Sequence, residues 1–412
     1  MSQSSSSSAP QCPRFPFPDQ PGVELTGAGL RTFRDQSYQQ VELGSGQQAL
    51  LVTQYEDVKI VLTDPRFSRE AWRSGSMFAR KSEALALTAS DAPTHTRRRR
   101  AVQARFTHRR AEQDRPRIVE IADSLLDRIE DKGPPADLVA DFTAPFSYRV
   151  ICEILGVPLT DLEQLSGWAT TMASAGRFSA ADIADAQQAM TGYFTQQLAD
   201  RRRNATELRR STDLLTDLLA SQHENQLSDE EIIVLSSGLF MSAGETTASH
   251  LAMGVLQVLK TPGLAKHLRK NPADIPETIE ELLRWTWFAG TGGQPHVAME
   301  QVKLSGILIQ PGQIVIPLRD AANRDAETFP QPDTFQPNRS PNPHLGFGHG
   351  RHYCLGAPHA RVELEVGLSS ILHRLEDLEV SLAEHQIDWR DQMFIRGPWK
   401  LPVQWRSPGS AV

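Results

Sequence analysis

Phe347-Gly-His-Gly-Arg-His-Tyr-Cys354-Leu-Gly356 is a glycine-laced loop that carries one cysteine and runs into a segment with Leu364, Leu368, Ile371, Leu372 and Leu375 at helical spacing. A thiolate ahead of a helix N-terminus meets unpaired backbone N–H groups and the positive end of the helix dipole. Both favour an anion and lower the thiol pKa. Gly348, Gly350 and Gly356 are expected to let the backbone turn tightly and aim amides at the sulfur. Such a loop suits a thiolate held against a metal. Three other readings compete: a small buried hydrophobe, a phosphate cradle at Gly346, Gly348 and Gly350, and a zinc site using His344, His349, His352 and Cys354. Pro341 and Pro343 are not the strand that a dinucleotide loop needs, and the His/Cys spacing matches no zinc pattern.

A second stretch lies in a long predicted helix. Ser228-Asp-Glu-Glu231 is a capping box, and apolar residues recur at Ile232, Leu235, Leu239, Leu251, Val255 and Leu259 until Thr261-Pro262-Gly263 stops the pattern after about 30 residues. In the middle sits Ser242-Ala-Gly-Glu245-Thr246-Thr247, which is poor helix material. Local disagreement inside a strong helix marks a place where function is expected. A buried acid beside a hydroxyl, with small residues one turn earlier, leaves room over a ligand and offers a proton route.

The loop pattern Phe-Gly-x-Gly-x-His-x-Cys-Leu-Gly resembles the haem-binding loop of the cytochrome P450 monooxygenases. The resemblance implies that Cys354 is the axial thiolate, whose electron push favours O–O cleavage. It further implies that Phe347 shields the sulfur and His352 binds a haem propionate, with Gly348 and Gly356 also lining the cofactor. Ser242-Ala243-Gly244-Glu245-Thr246 aligns without gaps to the family's distal-helix motif, placing Ala243 against the cofactor and Glu245 and Thr246 on the acid and alcohol that steer protons. Ser242-Ala243 in place of Ala-Gly adds bulk and a hydroxyl there.

Other segments follow in the family's order. Ala92-Pro-Thr-His95-Thr-Arg-Arg-Arg99-Arg100 opens a basic helix on which His95 and Arg99, four apart, share a face and can donate to one pair of carboxylates; the spacing is similar to the family's propionate-binding helix. The remaining arginines, on to Arg105, Arg109 and Arg110, would face outward as a positive surface for an acidic electron donor. Pro276 to Arg284 reads as a proline-initiated helix in which Glu281 and Arg284 can pair, and it resembles the family's structural Glu-x-x-Arg helix. Thr334 stands where many relatives have the meander's partner arginine, with Arg339 as its substitute. His296 stands where relatives commonly place a propionate arginine, and a histidine there would be a weaker, pH-dependent donor.

Val41-Glu-Leu43, Gly44-Ser-Gly46 and Ala49–Val52 read as a hairpin, as do Val302–Leu304 and Ile307–Ile309; Val58, Val61 and Leu62 share a helical face ended by Asp64-Pro65. The irregular apolar stretch from Trp72 to Thr88, including Phe78 and Leu85, suits a lid over a greasy cavity or an ordinary packed loop. Phe178 to Phe194 is weakly patterned; the resemblance puts a helix pair roofing the substrate channel there. Leu239, Phe288, Ala289, Phe394 and Ile395 complete the implied substrate pocket.

The fold expected is mainly α, a single-domain cytochrome P450 fold with a smaller β-rich region over residues 15–412, after a disordered serine-rich tail at 1–14. A net charge of −7 implies no polyanion partner, so no nucleic acid. No apolar run approaches the roughly 20 residues of a membrane helix. Three cysteines, Cys12, Cys152 and Cys354, make no disulfide framework and point to a reducing, cytoplasmic setting.

The resemblance implies haem b, a small-molecule substrate, dioxygen, and electrons from a ferredoxin and ferredoxin reductase, because the chain has no flavin or iron–sulfur cysteine pattern of its own. The implied reaction is hydroxylation or epoxidation of an apolar or amphipathic molecule in natural-product tailoring. The alternatives are oxidative C–C or C–N coupling without oxygen insertion, and a haem-binding sensor or carrier. A carrier needs neither the proton-steering pair nor a basic docking helix.

Overall fold

Ser228 accepts from the Glu231 amide at 3.1 Å, and the Glu231 carboxylate accepts from the Ser228 amide at 3.1 Å. The expected capping box therefore starts the helix Asp229–Lys260, 32 residues long and spanning about 48 Å at 1.5 Å per residue. The structure is a computed structural model, describing residues 12–16, 22–23, 37–75, 87–204, 213–289 and 292–406. The serine run, Phe78 and Leu85 lie outside the described residues.

Around this helix pack Ala144–Leu155, Leu162–Met172, Ala180–Arg203 and Ala357–Arg374. One core joins them, with Phe146, Leu251, Val255, Leu368 and Ile371 fully or nearly fully buried. Each such side chain contributes about 1.5–3 kcal/mol, which outweighs the few tenths per residue that the Ser/Gly/Thr stretch costs in propensity. Small polar residues of this helix bond back into it: Ser236 and Ser237 donate to the carbonyls of Ile232 and Ile233 at 2.7 and 2.8 Å, and Thr246 to that of Ser242. At Gly367 the Ala357–Arg374 helix comes so near that a β-carbon would stand 2.6 Å from Leu251 Cδ2.

Phe178 to Phe194 is firmer than its sequence reading. Ser179 and Asp182 form a second capping box, and Ala186, Met190, Phe194 and Leu198 bury one face of Ala180–Arg203.

The larger sheet runs β1 (Arg14–Phe15), β2 (Tyr38–Leu43), β3 (Gln48–Val52), β9 (Ile314–Pro317), β6 (His296–Ala298), β4 (Phe67–Ser68). The expected hairpin is β2–β3, with Glu42 opposite Gln48. The second expected hairpin, β7 (Val302–Leu304) with β8 (Ile307–Ile309), forms a separate two-stranded sheet. β5 (Ala136–Asp137), β10 (Glu379–Val380) and β11 (Pro402–Gln404) form a third sheet. In the antiparallel β4–β6 pair Ser68 lies opposite Val297, so Arg69, the residue that follows β4 and opens the helix Arg69–Gly75, is carried to His296.

The Glu281–Arg284 pair is no surface pair. Both side chains are fully buried on Ile275–Trp285, with Arg284 Nε donating to Glu281 at 2.7 Å. Arg339 Nε reaches the same carboxylate at 3.1 Å and Asn342 Nδ2 at 3.2 Å, while Thr334 contributes only its carbonyl, to Arg339 Nη2 at 2.9 Å. Arg339 is thus the meander arginine. The network fixes the chain between Pro330 and Asn342, directly ahead of the cysteine loop.

Candidate functional site

The cysteine loop turns through Gly348 and Gly350, whose φ values of +75° and +69° favour glycine. At Gly350 a β-carbon would also meet the Leu62 carbonyl at 2.9 Å. Gly356 differs from expectation: its φ is −81° and a β-carbon would meet no protein atom within 4 Å, so the protein's own turn does not require glycine there. Cys354 donates its amide to the Phe347 carbonyl at 2.8 Å, three positions ahead of the first residue of the helix Ala357–Arg374. Arg361 stacks on the outer Phe347 ring at 4.6 Å.

The Cys354 side chain is solvent-accessible, although protein is packed closely around it. Burial pushes its thiol above the ordinary value, opposed by the Gly356 and Ala357 amides and the guanidiniums of Arg319 and Arg99. The loop and helix start supply the influences read from the sequence, but desolvation is larger. The balance for the thiol alone is a raised pKa, not the lowered one expected.

Beside the thiol lies an excess of positive charge. His95 and Arg99 sit on Thr94–Gln103, and the His95 ring lies 4.1 Å from that of His352. Arg69 Nε donates to His296 Nε2 at 3.1 Å, and Arg319 Nη1 donates to the Gly346 carbonyl at 3.2 Å. Burial, with neighbouring Arg99, Arg69 and Arg351, lowers the His95 pKa to about 4. Burial likewise lowers that of His352, with Arg69, His95, His296 and Arg351 adding to it.

Beside Arg69 and His95 the carboxylate of Asp91 is taken by the Ser68 hydroxyl at 2.5 Å and by the amides of Arg69 and Glu70 at 3.4 Å. Among the described residues His352 Nε2 is buried without a hydrogen-bond partner. Charges so placed call for a bound anion with several acceptor oxygens. A group carrying two carboxylates and an atom for the thiol fits these residues, and haem is such a group.

The outward-facing arginines are fewer than expected. Arg97 and Arg98 both pair with Glu231, at 2.5 and 3.0 Å, and Arg105 pairs with Asp114 at 2.5 Å. Arg100 and Arg109 are exposed.

On the long helix, Thr246 Oγ1 donates to the Ser242 carbonyl at 2.5 Å. Glu245 is buried and accepts from Tyr148 Oη at 2.7 Å and Thr170 Oγ1 at 2.5 Å, with an ion pair to Arg390. Tyr148, Thr170 and Arg390 come from three distant segments, and the sequence reading missed them. It also missed Arg69 and Arg319.

The C-terminal tip closes on this region. Ala289 bridges to Ile395, Arg396 donates its amide to the Phe288 carbonyl at 3.0 Å, and Phe394 donates its amide to the Ala173 carbonyl at 2.9 Å. Phe288, Ala289, Phe394 and Ile395 are therefore gathered as expected, while Leu239 and Ala243 are half-buried on the long helix. Trp72 is not gathered with them: it packs against the sheet cluster of Phe15, Leu51 and Ile316.

A helical fold that holds a thiol beside a guanidinium cluster, and that sets a buried acid next to an alcohol on its long helix, defines a cofactor-binding redox class. The family model for cytochrome P450 matches residues 179–398. Mycinamicin IV hydroxylase/epoxidase of Micromonospora griseorubida is 38% identical, covering 95% of this chain and 98% of that protein. Nocardicin C N-oxygenase of Nocardia uniformis subsp. tsuyamanensis is 36% identical, covering 95% and 98%. The crystal structure of HinD with NMFT and NO superposes with a TM-score of 0.88 at 36% identity, covering 96% of this chain and all of that one.

The chain belongs to the cytochrome P450 family, in its bacterial branch, and is a monooxygenase. Its cofactor is a haem, and its reaction uses a small-molecule substrate, dioxygen and redox partners. Among the described residues no helix is long and apolar enough to cross a membrane.

Proposed function

We propose that Cys354 would hold the iron of a haem b through its sulfur and that the protein hydroxylates or epoxidises an apolar or amphipathic natural product in the cytoplasm, with electrons from a ferredoxin and ferredoxin reductase. The observation that carries this reading is the position of Arg99. It shares a helix face with His95 and its charge is felt by Cys354, so one guanidinium serves both the thiolate and a carboxylate-bearing group beside it. When bound, the haem supplies the activation of dioxygen.

The chain's own residues do the rest. His95, Arg99 and His352 hold the propionates, Phe347 covers the sulfur, and the Gly348 turn keeps the loop close. Ligation keeps Cys354 deprotonated, which offsets the burial that raises its free thiol. Thr246 presents its hydroxyl where the helix lacks large side chains, and Glu245, tied to Arg390, holds the neighbouring charge for proton delivery. Leu239, Phe288, Ala289, Phe394 and Ile395 exclude water and receive the substrate. The exposed Arg100 and Arg109 would face an acidic ferredoxin.

Cys354→Ser tests the ligand: it is expected to lose the red-shifted ferrous–CO band of a thiolate-bound haem, and retention of that band would place the iron on another residue. Turnover with a ferredoxin system and labelled dioxygen tests the chemistry. Label in the product supports the reading, whereas a coupled product without label, or no turnover of any compound that displaces ferric-bound water, would replace it.

A further inference from the structure

Arg69 is a buried guanidinium with no carboxylate partner among the described residues. Its Nε is committed to His296 Nε2 at 3.1 Å and its Nη1 to the Thr88 carbonyl at 3.2 Å. The nearby carboxylate of Asp91 is spent on Ser68 and on the backbone amides of Arg69 and Glu70. Burying an unpaired charge in this way is costly unless an anion completes the site. Two further guanidiniums, Arg319 and Arg351, add to the burial that depresses the Arg69 pKa to about 9.

His296 does not supply the charge. Its Nε2 must accept from Arg69, so its proton sits on Nδ1 and the ring stays neutral. Burial and the adjacent guanidinium both hold its pKa well below the ordinary histidine value, while the Gln294 carbonyl opposes them. His296 is therefore an acceptor that aims Arg69, unlike the pH-dependent donor expected from the sequence. The sheet makes the aim rigid. Ser68 pairs with Val297 across β4 and β6, and β6 is held on its other edge by β9, with His296 opposite Val315.

We propose that Arg69, oriented by His296, is a cation that binds a haem carboxylate from the sheet, beside the His95 and Arg99 of the neighbouring helix. The assignment rests on the haem-thiolate reading above.

The test compares haem transfer to apomyoglobin and the midpoint reduction potential of holoenzyme for the wild type, R69Q, R69K, H296R and R69Q/H296R. R69Q is expected to lose haem at least about tenfold faster, the range of one charge-assisted hydrogen bond, and to have a lower potential because a cation beside the haem is gone. Adding H296R to R69Q restores a guanidinium at the same spot and should bring haem loss back to within about threefold of the wild type. R69K keeps the charge but cannot hold His296 and a carboxylate together, so its potential should stay near that of the wild type while haem leaves faster.

Haem loss and potential in R69Q both unchanged, or no recovery in R69Q/H296R, would overturn the assignment. Should R69Q not fold, R69K decides: haem retention and potential identical to the wild type would overturn it. The red-shifted ferrous–CO band separates the two levels of the reading. If the wild type lacks it, the thiolate reading fails; if the wild type has it and R69Q loses haem no faster, Arg69 alone fails.

Discussion

The ring of Tyr148 lies directly against Gly244, in contact with the place a β-carbon would occupy, and the hydroxyl of the same tyrosine donates to Glu245 at 2.7 Å. The residue between the two small positions and the acid is thus glycine because an aromatic ring from Ala144–Leu155 needs its space. Gly244→Ala is expected to push Tyr148 away and destabilise the protein by about 1–3 kcal/mol, the range for overpacking a tight core. Chemical denaturation of the holoenzyme checks this. Tyr148→Phe in the Gly244→Ala background should not relieve it, since the clash is with the ring.

Thr246 and Glu245 adjoin on one helix but face different surroundings. Thr246 is partly exposed and, among the described residues, its hydroxyl bonds the Ser242 carbonyl, whereas Glu245 is buried under three partners. Thr246→Ala therefore removes a hydroxyl from the pocket without opening the core. It should keep haem content and the unfolding midpoint while diverting reducing equivalents to hydrogen peroxide several-fold. Peroxide release per electron supplied measures this, and coupling equal to the wild type would remove Thr246 from proton delivery.

Arg390→Gln should behave in the opposite way. It strips the cation from Glu245 in a site where both side chains are buried, and the uncompensated carboxylate costs about 3–5 kcal/mol. Urea unfolding should show that loss before any kinetic defect is measured. A change under about 1 kcal/mol would mean that Tyr148 and Thr170 alone satisfy the acid.

The Glu281 network separates two residues that the sequence could not. Arg339→Ala removes a guanidinium that contacts Glu281, the Pro330 carbonyl and the Thr334 carbonyl, and it should cost about 3 kcal/mol or more. Thr334→Ala leaves the carbonyl in place and should stay within about 0.5 kcal/mol of the wild type. Melting curves of the two variants, with haem content after purification, decide between them.

What the sequence made legible follows from how local each signal is. The Ser228 capping box and both hairpins are written in neighbouring residues, so spacing alone located them, while the loop at Cys354 was equally local but was read through its resemblance to a family loop. The Ala180–Arg203 helix was also local: Ala186, Met190, Phe194 and Leu198 recur every four residues, and Ser179 precedes Asp182 by three. It was obscured because alanine and glutamine dilute the apolar contrast. Arg69 was not legible. Nothing distinguishes it from Arg66 or Arg73 until the register of β4 against β6 sets it beside His296, and that pairing joins segments 227 residues apart. The partners of Glu245 are non-local for the same reason, since Tyr148 and Arg390 become neighbours only once three helices and the C-terminal tip have packed. The sign of the Cys354 shift was misjudged because the loop reveals the dipole and amides but not the protein packed around them.

Glu363 is a buried carboxyl with no cation partner among the described residues. Ser147, whose hydroxyl donates to the Ala243 carbonyl at 3.1 Å, stands 3.5 Å from it, and burial pushes its pKa up to about 8. The folded state therefore holds this proton well above the pH at which the unfolded chain releases it. The stability it contributes is full below the ordinary glutamate value and is lost as pH rises through about 8. Between pH 5.5 and 7.5 the wild type should lose roughly 2–3 kcal/mol relative to Glu363→Gln, at about 1.4 kcal/mol per pH unit. Glutamine keeps the shape and cannot ionise, so parallel stability profiles for the two proteins would show that Glu363 is already charged in the fold and has found a partner through rearrangement of Ser147.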